Sequence, residues 1–184
     1  MPQAETKPPG RLDLIEEFLN TVDFAHPGSE EFTTPERLAA WFRERGLMGG
    51  ETLYEADLAK ALSFRESVRE ALFANGGHAP AGPALVRLDE FAASVPLRIS
   101  LAAEPHLDPV AGGGLSSAIG TLLAIIYDAM HEGRWQRMKA CKKSLCRWAF
   151  YDRSKNGSGV WCSMASCGNR EKAQRRRHRA RYSV

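Results

Sequence analysis

Apolar residues recur at helical spacing through most of the first 130 residues. Thr34 followed by Pro35 is a typical N-cap and N1 pair, and Thr52 with Glu55 has the capping-box pattern. The predicted helices cover Leu12 to about Phe24, Pro35 to about Gly46, Thr52 to about Asn75, roughly Pro83–Ala93, and Leu115 to about Gly133. The last segment has the longest apolar stripe, so we expect it to be the most buried helix.

Between the fourth and fifth helices the apolar period changes from helical to alternating. Pro96–Leu101 alternates apolar and polar residues, which predicts a half-buried strand, and His106–Val110 predicts a short second strand. The fold class that we predict is therefore mainly α (α+β). Residues 1–133 form a helix-rich domain with a small β element, and residues 134–184 form a separate module with its own core.

All four cysteines lie in this C-terminal module, in a C-x4-C, fifteen-residue, C-x4-C arrangement. Two close pairs separated by an insert of hairpin length allow four thiolates to converge tetrahedrally on one metal ion. We therefore predict one structural Zn²⁺ held by Cys141, Cys146, Cys162 and Cys167. Two disulfides or free thiols are the alternatives, and clustered cysteines in a chain without a secretion signal favour metal.

The residues between the cysteine pairs predict a hairpin. Arg147–Asp152 is the first strand, Asn156-Gly157 is the turn, and Val160–Cys162 returns. Residues 163–182 predict a helix, so the module resembles a treble clef. The hairpin aromatics could stack on nucleic-acid bases, but a module this small needs them in its core, and we favour packing.

Charge divides the chain into two parts of opposite sign. Residues 1–132 hold 10 Lys and Arg against 20 Asp and Glu, whereas residues 133–184 hold 15 against 2. A basic helix gains most by lying along phosphates, which indicates DNA or RNA as the partner. The candidate contact residues are Arg170, Lys172, Arg175, Arg176, Arg177 and Arg179. The alternative is a solvated tail that docks on the acidic part of its own chain.

The N-terminal domain carries no catalytic constellation, because its histidines are scattered without paired acids or a nucleophile motif. We therefore expect no enzyme activity. Asn20 and Arg65 are candidate ligand contacts, since Arg65 continues an apolar stripe and could point into a pocket; the alternative is an arginine that extends to the surface. No segment predicts a signal peptide or a membrane span, so we expect a cytoplasmic protein without membrane contact.

The motif Cys167-Gly168-Asn169-Arg170 resembles the signature of the CGNR zinc-finger family, and Arg147-Trp148 and Trp161-Cys162-Ser163-Met164 fit it too. Leu19–Asp23 and Thr34–Trp41 resemble the ABATE domain that precedes that finger. The resemblance implies a bacterial, stress-induced transcription regulator. Its finger would bind DNA, and its N-terminal domain would sense a small-molecule effector or form a homodimer. RNA binding, a protein-interaction module and a hidden enzyme activity are the other hypotheses.

Overall fold

The computed structural model describes the backbone of residues 7–26, 28–101, 105–110 and 112–182, and their side chains except those of 174, 175 and 178–182. Within these ranges, six helices and two antiparallel pairs of strands make up the fold, so the prediction of a mainly α (α+β) chain is confirmed. The elements are α1 Leu12–Leu19, α2 Pro35–Glu44, α3 Glu55–Asn75, α4 Ala81–Ala93, β1 Leu97–Ser100, β2 His106–Pro109, α5 Gly114–His131, β3 Met138–Ala140, β4 Ala149–Tyr151 and α6 Asn169–Tyr182.

The start of α2 follows the predicted cap, whereas the start of α3 does not. Thr34 Oγ1 accepts a hydrogen bond from the Arg37 backbone N–H at 3.4 Å. The helix α3 begins instead where Asp57 accepts from the backbone N–H of Tyr54 at 2.9 Å. The Thr52–Glu55 capping box is therefore wrong, because the N-cap is Tyr54 and the carboxylate that binds its N–H is Asp57, two residues beyond Glu55.

The helix α1 is shorter than predicted and ends at Leu19. The Thr21 hydroxyl donates to the carbonyl of Phe18 at 2.8 Å, and the Glu31 backbone N–H donates to the carbonyl of Thr21 at 2.9 Å. These bonds turn the chain away from the helix axis. The apolar spacing that suggested continuation to Phe24 does not continue as helix, and Phe24 is 40% exposed.

The core of the first 133 residues lies between α1, α2, α3 and α5. Ten of the 18 residues of α5 are buried, against nine of the 21 residues of α3, as the long apolar stripe predicts. The β1–β2 pair packs on α5 at Gly120, where a Cβ atom would lie 3.0 Å from Pro109. The aromatic side chains that pack together beside these helices are Phe18, Phe32, Trp41, Phe42 and Phe64.

The strand pairing of the C-terminal part differs from the prediction. Strand β4 pairs with β3, in the register Met138↔Tyr151 and Ala140↔Ala149, and not with residues 160–162. Met138, Ala140 and Ala149 are buried in the same core as α3 and α5. The separate core of the module is therefore smaller than expected: these strands belong to the main core, whereas the cysteines form a second cluster with Trp148 and Trp161. Two three-residue strands have too little apolar surface for an independent core, and β3 packs against α3 while β4 packs against α1.

Candidate metal centre and nucleic-acid interface

The first cysteine pair lies in the loop that joins β3 to β4. The Cys141 backbone N–H donates to the carbonyl of Trp148 at 2.9 Å, which extends the ladder by one rung beyond the strands. The Cys146 N–H donates to the carbonyl of Lys143 at 2.8 Å and closes a tight turn. We call residues 141–148 the knuckle. Both of its cysteine side chains are thus placed at one end of a hairpin.

The second pair lies immediately before α6. Ser163 Oγ accepts from the Ser166 N–H at 3.4 Å, and the helical turn Met164–Gly168 that follows contains Cys167. The Lys142 N–H in the knuckle donates to the Val160 carbonyl at 2.9 Å and brings the second pair to the first. The last cysteine of the cluster therefore lies two residues before α6 begins.

The four sulfur atoms fit one tetrahedral zinc ion. All four Sγ atoms lie within 4.8 Å of one another, with 3.7 Å between Cys146 and Cys162 and 3.8 Å between Cys162 and Cys167. A tetrahedron with Zn–S bonds of about 2.3 Å has sulfur–sulfur edges of about 3.8 Å. A disulfide bond would need about 2.05 Å. The prediction of one structural Zn²⁺ is confirmed, and the disulfide alternative is excluded because all four cysteines are free.

The crowding of the thiols explains why the site needs a cation. Hydrogen bonds from Cys146 and Cys162 lower the pKa of Cys141 to about 2. The hydrogen bond with Cys141 raises the pKa of Cys146 to about 12, and the same neighbour raises the pKa of Cys162. A thiolate at one cysteine therefore disfavours deprotonation of the neighbouring cysteines. Four thiolates require the charge of a divalent ion, and four sulfur ligands leave that ion no open position for a substrate.

The aromatic residues of the module pack in its interior. Trp148 and Trp161 contact the cysteine cluster, Phe150 is buried, and Tyr151 packs against the main core. These contacts support the packing interpretation of the aromatics that the sequence analysis favours over a stacking platform.

The cations of α6 lie on a helix that continues directly from the metal centre. The side chains of Arg170, Lys172, Arg176 and Arg177 are exposed. Those of Arg175 and Arg179, which are also predicted contact residues, lie outside the described side chains. The structure thus brings four of the six predicted cations to an accessible surface that begins three residues after Cys167.

The two predicted ligand contacts of the N-terminal domain have internal partners instead. The Arg65 guanidinium is buried and binds both carboxylate oxygens of Glu30, at 2.8 and 2.6 Å, and the Thr21 hydroxyl at 2.9 Å. Burial would lower the pKa of Arg65, but the bonds to Glu30 outweigh this effect and raise it. Arg65 therefore does not extend to the surface, and an acidic partner compensates its charge inside the fold. Its role as a ligand contact stays a prediction.

Asn20 pairs with a strand of the zinc module. Its Nδ2 donates to the carbonyl of Ala149 at 3.0 Å, and its Oδ1 accepts from the N–H of Ala149 at 2.8 Å. The amide thus imitates one rung of a β-ladder along β4. Its donor and acceptor are both used within the chain, in a contact between α1 and β4, and its role as a ligand contact stays a prediction.

Arg69 is a second link to the module, and this contact was not predicted from the sequence. It is 0% exposed and donates to the carbonyl of Arg147 at 3.0 Å, to the carbonyl of Leu19, and to Glu66 at 2.9 Å. Arg147 directly follows a zinc ligand and has φ of +48°, a conformation that a non-glycine residue adopts only when its surroundings hold it. The one available signal was that Arg69 lies one turn after Arg65 on the same helix.

Comparison with known families agrees with this architecture. A family model described as ABATE, "Putative stress-induced transcription regulator", matches residues 12–131. The chain belongs to the ABATE family. A second family model, the CGNR zinc finger, matches residues 137–181, which include all four cysteines. None of the curated proteins compared with the chain matches it. Among the described residues of this ABATE protein, no helix has both the length and the apolar character needed to cross a bilayer.

Proposed function

We propose that this ABATE protein is a bacterial, cytoplasmic transcription regulator that binds DNA through its zinc finger and catalyses no reaction. The observation that carries the proposal is the placement of α6. The helix starts two residues after Cys167, the last of the four clustered cysteines, and it carries exposed Arg170, Lys172, Arg176 and Arg177. This helix belongs to a segment with 15 basic and 2 acidic residues, the charge balance of a phosphate-binding surface.

Zinc has a structural role in this proposal. The ion, held by the four cysteines, joins the knuckle to the start of α6 and so orients the helix relative to the rest of the chain. Arg170 is the cation nearest to the ligands in sequence and the best placed for a fixed contact. We assign it a phosphate contact, because phosphate contacts outnumber base contacts in most protein–DNA complexes.

The helical ABATE domain has a sensing or dimerising role in the proposal. It carries most of the acidic residues, so it offers nucleic acid little electrostatic attraction. Its hydrogen bonds through Arg69 to the knuckle and through Asn20 to β4 give an effector or a second copy a physical route to the finger.

The experiment is a competition between nucleic acids for the zinc-loaded full chain. A labelled duplex DNA is displaced by unlabelled duplex DNA or by structured RNA of equal length at the same salt concentration. We expect duplex DNA to be the better competitor. Preference for RNA would replace the proposal with an RNA-binding function, and failure to bind the labelled duplex at low salt would contradict DNA binding.

A further inference from the structure

Residues 152–159, here called the Asp152 loop, join β4 to the second cysteine pair. The loop contains two glycines and two serines and exposes Ser154, Lys155, Asn156 and Ser158. A composition of this kind is typical of a flexible connection. The structure shows instead that buried charged groups hold the loop in one shape.

Lys139 on β3 provides the first support. Its side chain is buried, and its ammonium donates to Asp152 Oδ2 at 2.7 Å, to the carbonyl of Gly157, and to the carbonyl of Gly159 at 3.1 Å. The three ammonium protons thus bind three acceptors, one at the beginning of the loop and two at its end. Lys139 therefore binds both ends of the loop from the buried side.

Asp152 and Arg137 provide the second support. The Asp152 carboxylate accepts from the N–H groups of Ser154 at 2.9 Å and Gly159 at 2.8 Å. Burial would raise the pKa of Asp152, but the bond from Lys139 and the bonds within the loop lower it to about 2, so the group stays ionised at neutral pH. Arg137 donates to the carbonyls of Asp152 at 3.0 Å and Ser154 at 2.8 Å.

This support is separate from the bonds that position the second cysteine pair. The Lys142–Val160 bond and the Ser163 cap already position that pair. Taking an ammonium and a carboxylate out of water is unfavourable, so a buried ion pair is weak evidence for stability, and in some proteins it fixes a specific shape. A fixed shape on an exposed loop suits contact with a partner. The side chains that the loop exposes are those of Arg153, Ser154, Lys155, Asn156 and Ser158.

We propose that the Asp152 loop is a second nucleic-acid contact in addition to α6, with Lys155 on a phosphate and Asn156 hydrogen-bonding next to it. This inference rests on the proposed function and adds a specific site to it. Ammonium, amide and hydroxyl groups are the side-chain donors that fix a protein on the nucleic-acid backbone. The surrounding segment has the required charge, with 15 basic against 2 acidic residues.

The test compares Lys155→Ala and Asn156→Ala with the wild-type protein, as zinc-loaded full chains, on one duplex over a range of salt concentrations. Removing Lys155 should weaken binding and flatten the slope of log K against log salt by about 0.9, the value for one phosphate contact. Removing Asn156 should weaken binding without changing the slope. Lys60→Ala, a half-exposed lysine on α3, is the matched control and should leave both quantities unchanged.

The outcomes separate the two proposals. If the wild type binds with a steep salt slope while Lys155→Ala and Asn156→Ala behave like Lys60→Ala, the loop contact is wrong and DNA binding through α6 stands. If the wild type does not bind duplex DNA, the proposed function fails and the loop contact fails with it. Lys155→Arg should restore the wild-type slope, because it keeps the charge at the same place.

A third variant tests the supporting ion pair. Lys139→Met removes the ammonium from below the loop, and we expect it to weaken binding even though this residue lies beneath the surface. Zinc content and circular dichroism are measured on the same sample. If this variant loses zinc or unfolds, the Lys155 and Asn156 variants decide the question alone, since both residues are exposed.

Discussion

The two sides of the zinc centre have different surroundings. On the hairpin side, Arg69 donates to the Arg147 carbonyl in the knuckle, and Asn20 exchanges two hydrogen bonds with Ala149 on β4. Strand β3 packs against α3, and β4 packs against α1. On the helix side, α6 continues away from the ligands with exposed arginines and a lysine. One side is part of the interior of the ABATE domain, and the other presents charge outward. The finger is therefore anchored through its hairpin side, and α6 on the other side is accessible to a partner.

The largest expected effect concerns the anchored side. Removing zinc with a chelator should destabilise the ABATE helices as well as the finger, because β3 and β4, which flank the knuckle, lie in the core of those helices. Zinc supplies on the order of 10 kcal/mol to isolated fingers. If about 3 kcal/mol of this reaches the main core, Tm falls by roughly 6–12 °C. Circular dichroism of the helices with and without chelator measures the shift, and adding zinc back is the control. Helices that melt at the same temperature in both samples would show two independent units.

The next effect concerns Arg69. Replacing it with Met leaves the carbonyls of Arg147 and Leu19 without their donor and the charge of Glu66 less compensated. We expect a loss of about 3 kcal/mol in unfolding free energy and a weaker zinc affinity. Urea denaturation and competition with a colorimetric zinc chelator measure the two quantities.

Arg65→Met is the matched control for Arg69→Met. Arg65 is also buried and also pairs with Glu66, but its other bonds go to Glu30 and Thr21 and not to the knuckle. It should lower stability while changing zinc affinity much less. Equal losses of zinc affinity in the two variants would mean that Arg69 acts only through general stability.

A smaller effect is expected for Asn20→Ala, which removes the two hydrogen bonds to Ala149. The donor and acceptor left on β4 are partly buried, so the expected loss is about 1–3 kcal/mol. Asn169→Ala is the control, since Asn169 is exposed and makes one 3.4 Å bond within its own turn. Thermal unfolding of both variants checks the prediction, and equal Tm values would contradict the ladder role of Asn20.

The smallest effect on stability is expected on the helix side. The double replacement of Arg176 and Arg177 with Ala should change the unfolding free energy by no more than about 0.5 kcal/mol, because both side chains are exposed. The same variant should bind nucleic acid more weakly. A large loss of stability would show that these arginines belong to the fold, and the comparison between the two sides of the centre would fail.

The features that could be predicted from the sequence are those with a local signal. The cap of α2 needs only Thr34 and Pro35, the burial of α5 follows from its own stripe, and the zinc ligands follow from cysteine spacing. The pairing of β3 with β4 could not be predicted, because a three-residue strand shows no period. The role of Arg69 could not be predicted for a different reason. Backbone carbonyls accept its hydrogen bonds, and because every residue has a carbonyl, the sequence does not indicate which of them is the partner.

The same reasoning explains why the partner of Arg65 could not be predicted. An arginine on an apolar stripe indicates that a partner lies nearby, but the stripe does not say whether that partner is a ligand, water or a carboxylate. Glu30 lies 35 residues earlier, in an irregular segment whose position depends on the whole fold. Only the assembled structure shows that the carboxylate is there.

The central claim is that the finger presents the charge of α6 to the phosphates of DNA. The most direct measurement is the affinity of the zinc-loaded chain for one duplex across a series of salt concentrations, for the wild type and for the Arg176→Ala, Arg177→Ala double variant. We expect a slope of log K against log salt of about −3 to −6 for the wild type and a flatter slope for the variant. Binding that is insensitive to salt and identical in the two proteins would contradict it.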